Sequence, residues 1–122
     1  MNPVSPGNSL YRCPSAFAGS SLMVALPPLV ARGWLPAAAL EDPPAFDTAR
    51  VDWGAVIPWR RARLQEAAAG FFAGASAHDR ARLDRARLDR ARFEAWCEAE
   101  ATWLPAWTFF AALKDAYGGQ PW

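Results

Sequence analysis

The placement of proline constrains this chain more than any other feature. Eight of its eleven prolines stand in the first 57 residues, at positions 3, 6, 14, 27, 28, 36, 43 and 44. Proline has no backbone N–H and biases the residue before it away from the α region, so almost no helix of ordinary length fits among these positions. It would also remove ladder donors from a sheet, and no alternating strand pattern is present. The expectation for residues 1–57 is therefore an extended, proline-rich arm. Short turns are the most it can hold, around Ser21 to Leu26 and around Pro36 to Leu40.

The arm is nevertheless no polar linker. The chain is 52% apolar and carries seven Trp, which sets it apart from sequences that stay disordered for want of apolar surface. Fixing backbone costs about 1–2 kcal/mol per residue, and a segment with few internal hydrogen bonds recovers that only by laying apolar groups on another surface. Tyr11, Phe17, Leu26, Leu29, Trp34, Leu35, Phe46, Trp53 and Trp59 are the anchors available for this. The leading expectation is an arm that wraps a partner protein. The alternative is an arm that sheathes its own helices.

After residue 57 the pattern becomes helical. Pro58 suits the first turn of a helix, and a stretch over 58–75 follows with Leu64, Ala68, Phe71 and Phe72 on one side and Arg60 and Arg63 away from it. Gly70 and Gly74 weaken its end, and Ser76 with Asp79 has the form of a capping box for the next helix. A charged helix is expected over 77–101, dominated by "DRARLDRARLDRARF" from Asp79 to Phe93. Five residues of α-helix advance a side chain by about 500°, a net 140° or so. Leu83, Leu88 and Phe93 therefore diverge and cannot make one apolar stripe. The period instead pairs charges, Asp84 with Arg87 and Asp89 with Arg92 at i,i+3, Arg85 with Asp89 and Arg90 with Glu94 at i,i+4. A helix polar all round in this way reads as a solvated rod and spacer.

The last helix is expected over 102–117. Pro105 kinks or restarts it, Thr102 is the expected cap, and Gly118 and Gly119 stop it. Trp103, Ala106, Trp107, Phe110, Leu113 and Tyr117 form a broad aromatic stripe. Four of these, Trp103, Trp107, Phe110 and Tyr117, join the candidate partner-binding residues. The stripe is suited to an internal core, to another protein or to a membrane interface.

Chemistry-bearing constellations are harder to find. A net charge of +1 gives no global field for nucleic acid. The six Arg between residues 80 and 92 are interleaved with Asp, which repels the same phosphates. Cys13 and Cys97 are isolated and read as two small thiols, His78 stands alone in an expected turn, and Glu98 and Glu100 lie on different helix faces. No nucleotide-binding or nucleophile motif occurs. No catalytic, cofactor or metal-ligating residue is assigned, no cofactor or small-molecule substrate is expected, and the chain reads as not an enzyme.

The sequence thus predicts a mainly α fold: an extended proline-rich arm followed by two or three helices, the central one a long charged rod and the last restarted near Pro105. In function it reads as a non-catalytic accessory subunit of a large multiprotein assembly. The acid-free first 40 residues and the Trp-rich surface tilt that reading towards a supernumerary subunit of a mitochondrial respiratory-chain or ATP-synthase complex. The expected location is the inner membrane, without a transmembrane helix. A ribosomal or other RNA-contacting protein using the Arg-rich helix is the alternative, and a bacterial or phage structural protein a further one.

Overall fold

The computed structural model describes residues 15–45, 49, 51–74 and 80–118, and among them the chain is mainly helical, with no strand. In the leading segment a 3₁₀ turn at Ser21–Met23 is followed by helix α1 (Pro27–Ala31) and a second 3₁₀ turn at Ala37–Leu40. Three longer helices come next, α2 (Trp53–Ala73), α3 (Arg80–Ala99) and α4 (Leu104–Ala116). The fold class is the one that proline placement and the charged repeat imply. Three of the shorter expectations, Cys13, His78 and the Ser76–Asp79 capping box, lie outside the described residues.

Adjacent prolines do not extend this part of the chain; they start a helix. Pro27 and Pro28 occupy the first turn of α1, where an N–H would have no helical partner and the fixed φ already suits the helix. The helix ends at once because Gly33 takes φ +74°, a left-handed conformation that glycine adopts without a Cβ penalty. Trp34 and Leu35 then both donate backbone hydrogen bonds to the Leu29 carbonyl, at 3.0 and 3.3 Å. The chain is thereby folded back beneath α1.

The core follows from that reversal. Leu26, Leu35, Ala39 and Ala67 are buried, with Leu29, Val30, Trp34, Leu40, Trp59 and Leu64 packed around them. Most of these residues come from the leading segment, and α2 supplies the opposing face. Burying a leucine stabilises by about 1.5–3 kcal/mol, so this small cluster offsets a real part of the ordering cost. The surface that receives residues 26–40 is the chain's own α2.

Helix α2 begins earlier than Pro58 suggests. Asp52 is its N-cap, and its Oδ1 accepts from the N–H groups of Gly54 and Ala55 at 2.9 and 3.3 Å, satisfying orphan donors of the first turn. Pro58 consequently sits inside the helix. The buried ribbon is also displaced from the expected one. Ala67, not Ala68, is buried, and Arg60 is turned inward to donate to the Val24 carbonyl. Gly70 lies three residues beyond Ala67, and a Cβ there would lie 2.1 Å from the Trp34 carbonyl oxygen. Gly70 is therefore a point of backbone contact, where the leading segment lies directly on the helix.

Side chains of α3 and α4 reach α2 at separate points. Phe71 meets Phe93 near the end of α2, ring centroids 5.4 Å apart, and Arg61 pairs with Asp115 nearer its start, at 3.3 Å. At the α3–α4 junction the helix restarts with Pro105 in its first turn, as the missing N–H requires. The expected cap at Thr102 is not used. The cap position is Trp103, which makes no side-chain capping bond.

The repeat is only partly the solvated rod that its period suggests. Asp84 with Arg87 and Arg90 with Glu94 are paired at 3.9 and 3.4 Å on the exposed side. Asp89, however, is only 8% exposed and bonds Arg32 of the leading segment at 3.0 Å. Arg82 lies beside Gly33, its guanidinium 3.1 Å from where a Cβ would stand. One face of the repeat is thus covered by the segment that follows α1.

Candidate functional site

Two concavities lie along the inner face of α3. The larger, an open groove of about 650 Å³, is bordered by the leading segment (Leu29, Arg32, Trp34), α2 (Leu64, Ala67, Phe71, Phe72) and α3 (Asp89, Phe93, Trp96), with further lining from Val24, Ala68 and Arg92. Its walls are aromatic edges. Phe71 packs edge-on against Trp34, Phe72 and Phe93 at centroid distances of 5.1, 5.1 and 5.4 Å. Two guanidiniums close over this cluster, Arg32 at 5.1 Å from the Trp34 ring and Arg90 at 4.8 Å from the Phe72 ring. Cations over aromatic faces are attracted by the ring quadrupole. Among the described residues the sole carboxylate lining this groove is Asp89, already bonded to Arg32.

The smaller concavity, about 420 Å³, is formed by Phe17, Ala18 and Gly19 on one side and Trp96, Glu100, Trp103, Leu104 and Trp107 on the other. Local chemistry sets each wall. The Ser15 hydroxyl oxygen accepts from the N–H groups of Phe17 and Ala18, at 3.1 and 3.0 Å, and this bend delivers Phe17 onto Trp103 as a stacked pair 5.8 Å apart. Opposite, Trp96, Glu100, Trp103 and Trp107 are spaced by four, three and four residues, the spacing of one helical stripe. Backbone bonds link the helices across the turn at residues 100–103: Glu100 N–H to the Trp96 carbonyl at 3.0 Å, Leu104 N–H to the Glu100 carbonyl at 3.0 Å and Trp107 N–H to the Trp103 carbonyl at 3.1 Å. The Trp103 indole N–H donates to Glu100 Oε2, which fixes both side chains within the wall. Trp96 lines both concavities.

The residues that sequence reasoning singled out for binding are divided among several places. Leu26 and Leu35 are core, and Leu29, Trp34 and Trp59 are packed against it. Phe17, Trp103 and Trp107 come together in the smaller concavity. Trp107 also packs against Phe110, 5.6 Å away. Trp53 is half-buried at the start of α2, and Tyr117 is exposed at the end of α4. Tyr11 and Phe46 lie outside the described residues. Arg32, Asp89, Trp96 and Glu100 were missed. The Trp96–Glu100–Trp103–Trp107 spacing is a signal that finds these four residues of the wall together.

No helix among the described residues is long and apolar enough to cross a membrane, and no cluster of His, Cys, Asp or Glu among them could hold a metal ion. The decisive observation comes from other proteins. Across residues 1–122 the chain matches the model of glycoside hydrolase family 77, described as 4-alpha-glucanotransferase. The chain belongs to glycoside hydrolase family 77. It is 39% identical over 122 residues to the 4-alpha-glucanotransferase of Thermus thermophilus and 31% identical over 122 residues to that of Synechocystis. It is 28% identical over 123 residues to that of Streptococcus pneumoniae serotype 4. In each case all of the chain is matched and 22% of the relative's length. The chain thus spans about a fifth of the relatives it matches.

Membership of family 77 overturns most of the functional expectations. The accessory-subunit reading fails, and the ribosomal and phage alternatives fail with it, because the relatives are named as enzymes of glucan transfer. The expectations of no enzyme and of no small-molecule substrate fail for the same reason. The mitochondrial, inner-membrane location fails because the matching proteins come from Thermus, Synechocystis and Streptococcus. The physical source of the error is clear. An acid-free leading segment and a surface rich in Trp specify apolar and aromatic contact, and that chemistry is shared by organelle subunits and by proteins that handle sugars.

Proposed function

We propose that this chain serves a 4-alpha-glucanotransferase, as the helical part that frames and contacts an α-1,4-linked glucan while a glucan segment is moved from one chain to the 4-hydroxyl of another. The observation that carries the reading is the family match over all of residues 1–122, with 39% identity to the Thermus relative. The geometry is compatible with it. Breaking a glycosidic bond conventionally uses two carboxyl groups flanking that bond, about 5–5.5 Å apart where configuration is retained. Each concavity brings one carboxylate, Asp89 committed to Arg32 and Glu100 accepting from Trp103. The described residues are therefore suited to binding and orienting sugar, with bond cleavage carried out elsewhere in the enzyme. Holding an acceptor sugar in place favours transfer over hydrolysis, since an oriented hydroxyl competes with water through its high effective concentration.

The test is a graft. This chain replaces the matching residues of the Thermus relative, and the hybrid is incubated with maltotriose. A ladder of shorter and longer oligosaccharides should appear while the number of reducing ends stays constant, because transfer makes one glycosidic bond for each one broken. A folded hybrid that yields no ladder contradicts the reading.

A further inference from the structure

In α4 composition and burial disagree. Of its 13 residues only Thr108, Lys114 and Asp115 are polar, yet none of the 13 is buried. A helix apolar on every side belongs inside a larger protein. One side is accounted for by this chain, since Leu104 and Trp107 line the smaller concavity with Phe17 and Trp96. Phe109 follows Trp107 by two residues, a turn of about 200°, and so points away from that concavity. Steps of four, three and four residues place Pro105, Phe109, Ala112 and Ala116 on one stripe. Every member of that stripe is exposed, Phe109 to 68%, and none carries a charge. Beside it Thr108 turns its hydroxyl inward, donating to the Pro105 carbonyl at 3.0 Å, so this polar side chain is satisfied by its own helix without water. A lipid surface is a poor occupant. Interfacial helices set Lys and Arg on the face opposite the apolar one, and α4 has Lys114 alone, next to Asp115.

We propose that the Pro105–Phe109–Ala112–Ala116 face of α4 is an internal docking face of the family 77 enzyme, covered by polypeptide from the part of the fold that this chain does not span. The relatives are matched over 22% of their length, so the remainder is large enough to enclose the helix, and larger proteins bury a greater share of their surface. Phe109 is the anchor. Ala112 and Ala116, whose side chains end at Cβ, let the covering backbone come close beside it. The covering surface is apolar, since the stripe offers it neither a charge nor a side-chain hydrogen-bond donor. The proposal rests on family membership and not on glucan transfer.

The experiment compares the 122-residue chain with the hybrid in which it replaces the matching residues of the Thermus relative. Both are treated briefly with hydroxyl radicals, and oxidation at Phe109 is read by peptide mass spectrometry. Phe109 should be oxidised in the isolated chain and protected in the hybrid. Phe109→Gln, which keeps a good helix former in place, gives a second measurement. It should leave the denaturation midpoint of the isolated chain unaltered. In the hybrid it should lower the melting temperature by about 3 °C or more, as a buried amide without a partner does. Equal oxidation of Phe109 in the chain and the folded hybrid, or an unchanged melting temperature of the hybrid variant, overturns the proposal. So does protection in the isolated chain that grows with dimer formation in analytical ultracentrifugation, since the face then meets a second copy. A hybrid that transfers glucan while Phe109 stays reactive overturns the docking face alone; one that protects Phe109 but forms no oligosaccharide ladder overturns the activity alone.

Discussion

Gly70 lies directly against the Trp34 backbone, so the contact is backbone against backbone. With 2.1 Å between the position of an added Cβ and the Trp34 carbonyl oxygen, no rotamer change relieves the clash, so the segment or the helix must shift. Overpacking a close contact costs about 1–3 kcal/mol, occasionally more, which outweighs the gain of up to about 1 kcal/mol that Gly→Ala brings to a helix interior. Gly70→Ala should therefore destabilise the chain by about 1–2 kcal/mol, read as the shift of its denaturation midpoint. A stabilising effect would place Trp34 elsewhere. At this scale the sequence is readable in kind but not in role. A glycine in a helix is visible, yet only the fold shows whether it is a weak point or a point of contact.

At the level of elements the repeat is the instructive case. Its copies are nearly identical, so sequence cannot tell which Asp meets solvent and which meets the segment after α1. The five-residue period scatters the apolar positions, and Leu88 is 52% exposed. What the period could not reveal is that Asp89, its neighbour, is buried against Arg32. The usual ranking of core leucine over surface aspartate should therefore invert. Leu88→Ala should cost under about 0.5 kcal/mol, and Asp89→Ala about 1.5–3 kcal/mol, the range for a hydrogen bond to a charged group. Arg32 stays partly hydrated in that variant, which keeps the cost towards the lower end. Equal effects in a urea titration would return the repeat to the status of a spacer. The α3–α4 junction teaches a related lesson. Pro105 announces the restart, but the turn bonds that carry the chain through residues 100–104 are not legible from proline placement alone.

For the whole molecule, helical class and the restart near Pro105 were legible from proline placement and periodicity. The family was not, because the sequence offers no nucleotide-binding, metal-binding or nucleophile motif from which an activity could be read. The two concavities exist only if residues 15–45 and the helices form one folded unit, joined through Leu35, Gly70 and the Arg32–Asp89 pair. Amide hydrogen exchange on the 122-residue chain tests this directly. The Trp34 and Leu35 N–H groups, bonded to the Leu29 carbonyl, should open with the same free energy as the α2 amides around Ala67, as members of one cooperative unit do. Exchange of Trp34 and Leu35 at the rate of an unstructured peptide, with α2 still protected, would contradict the account.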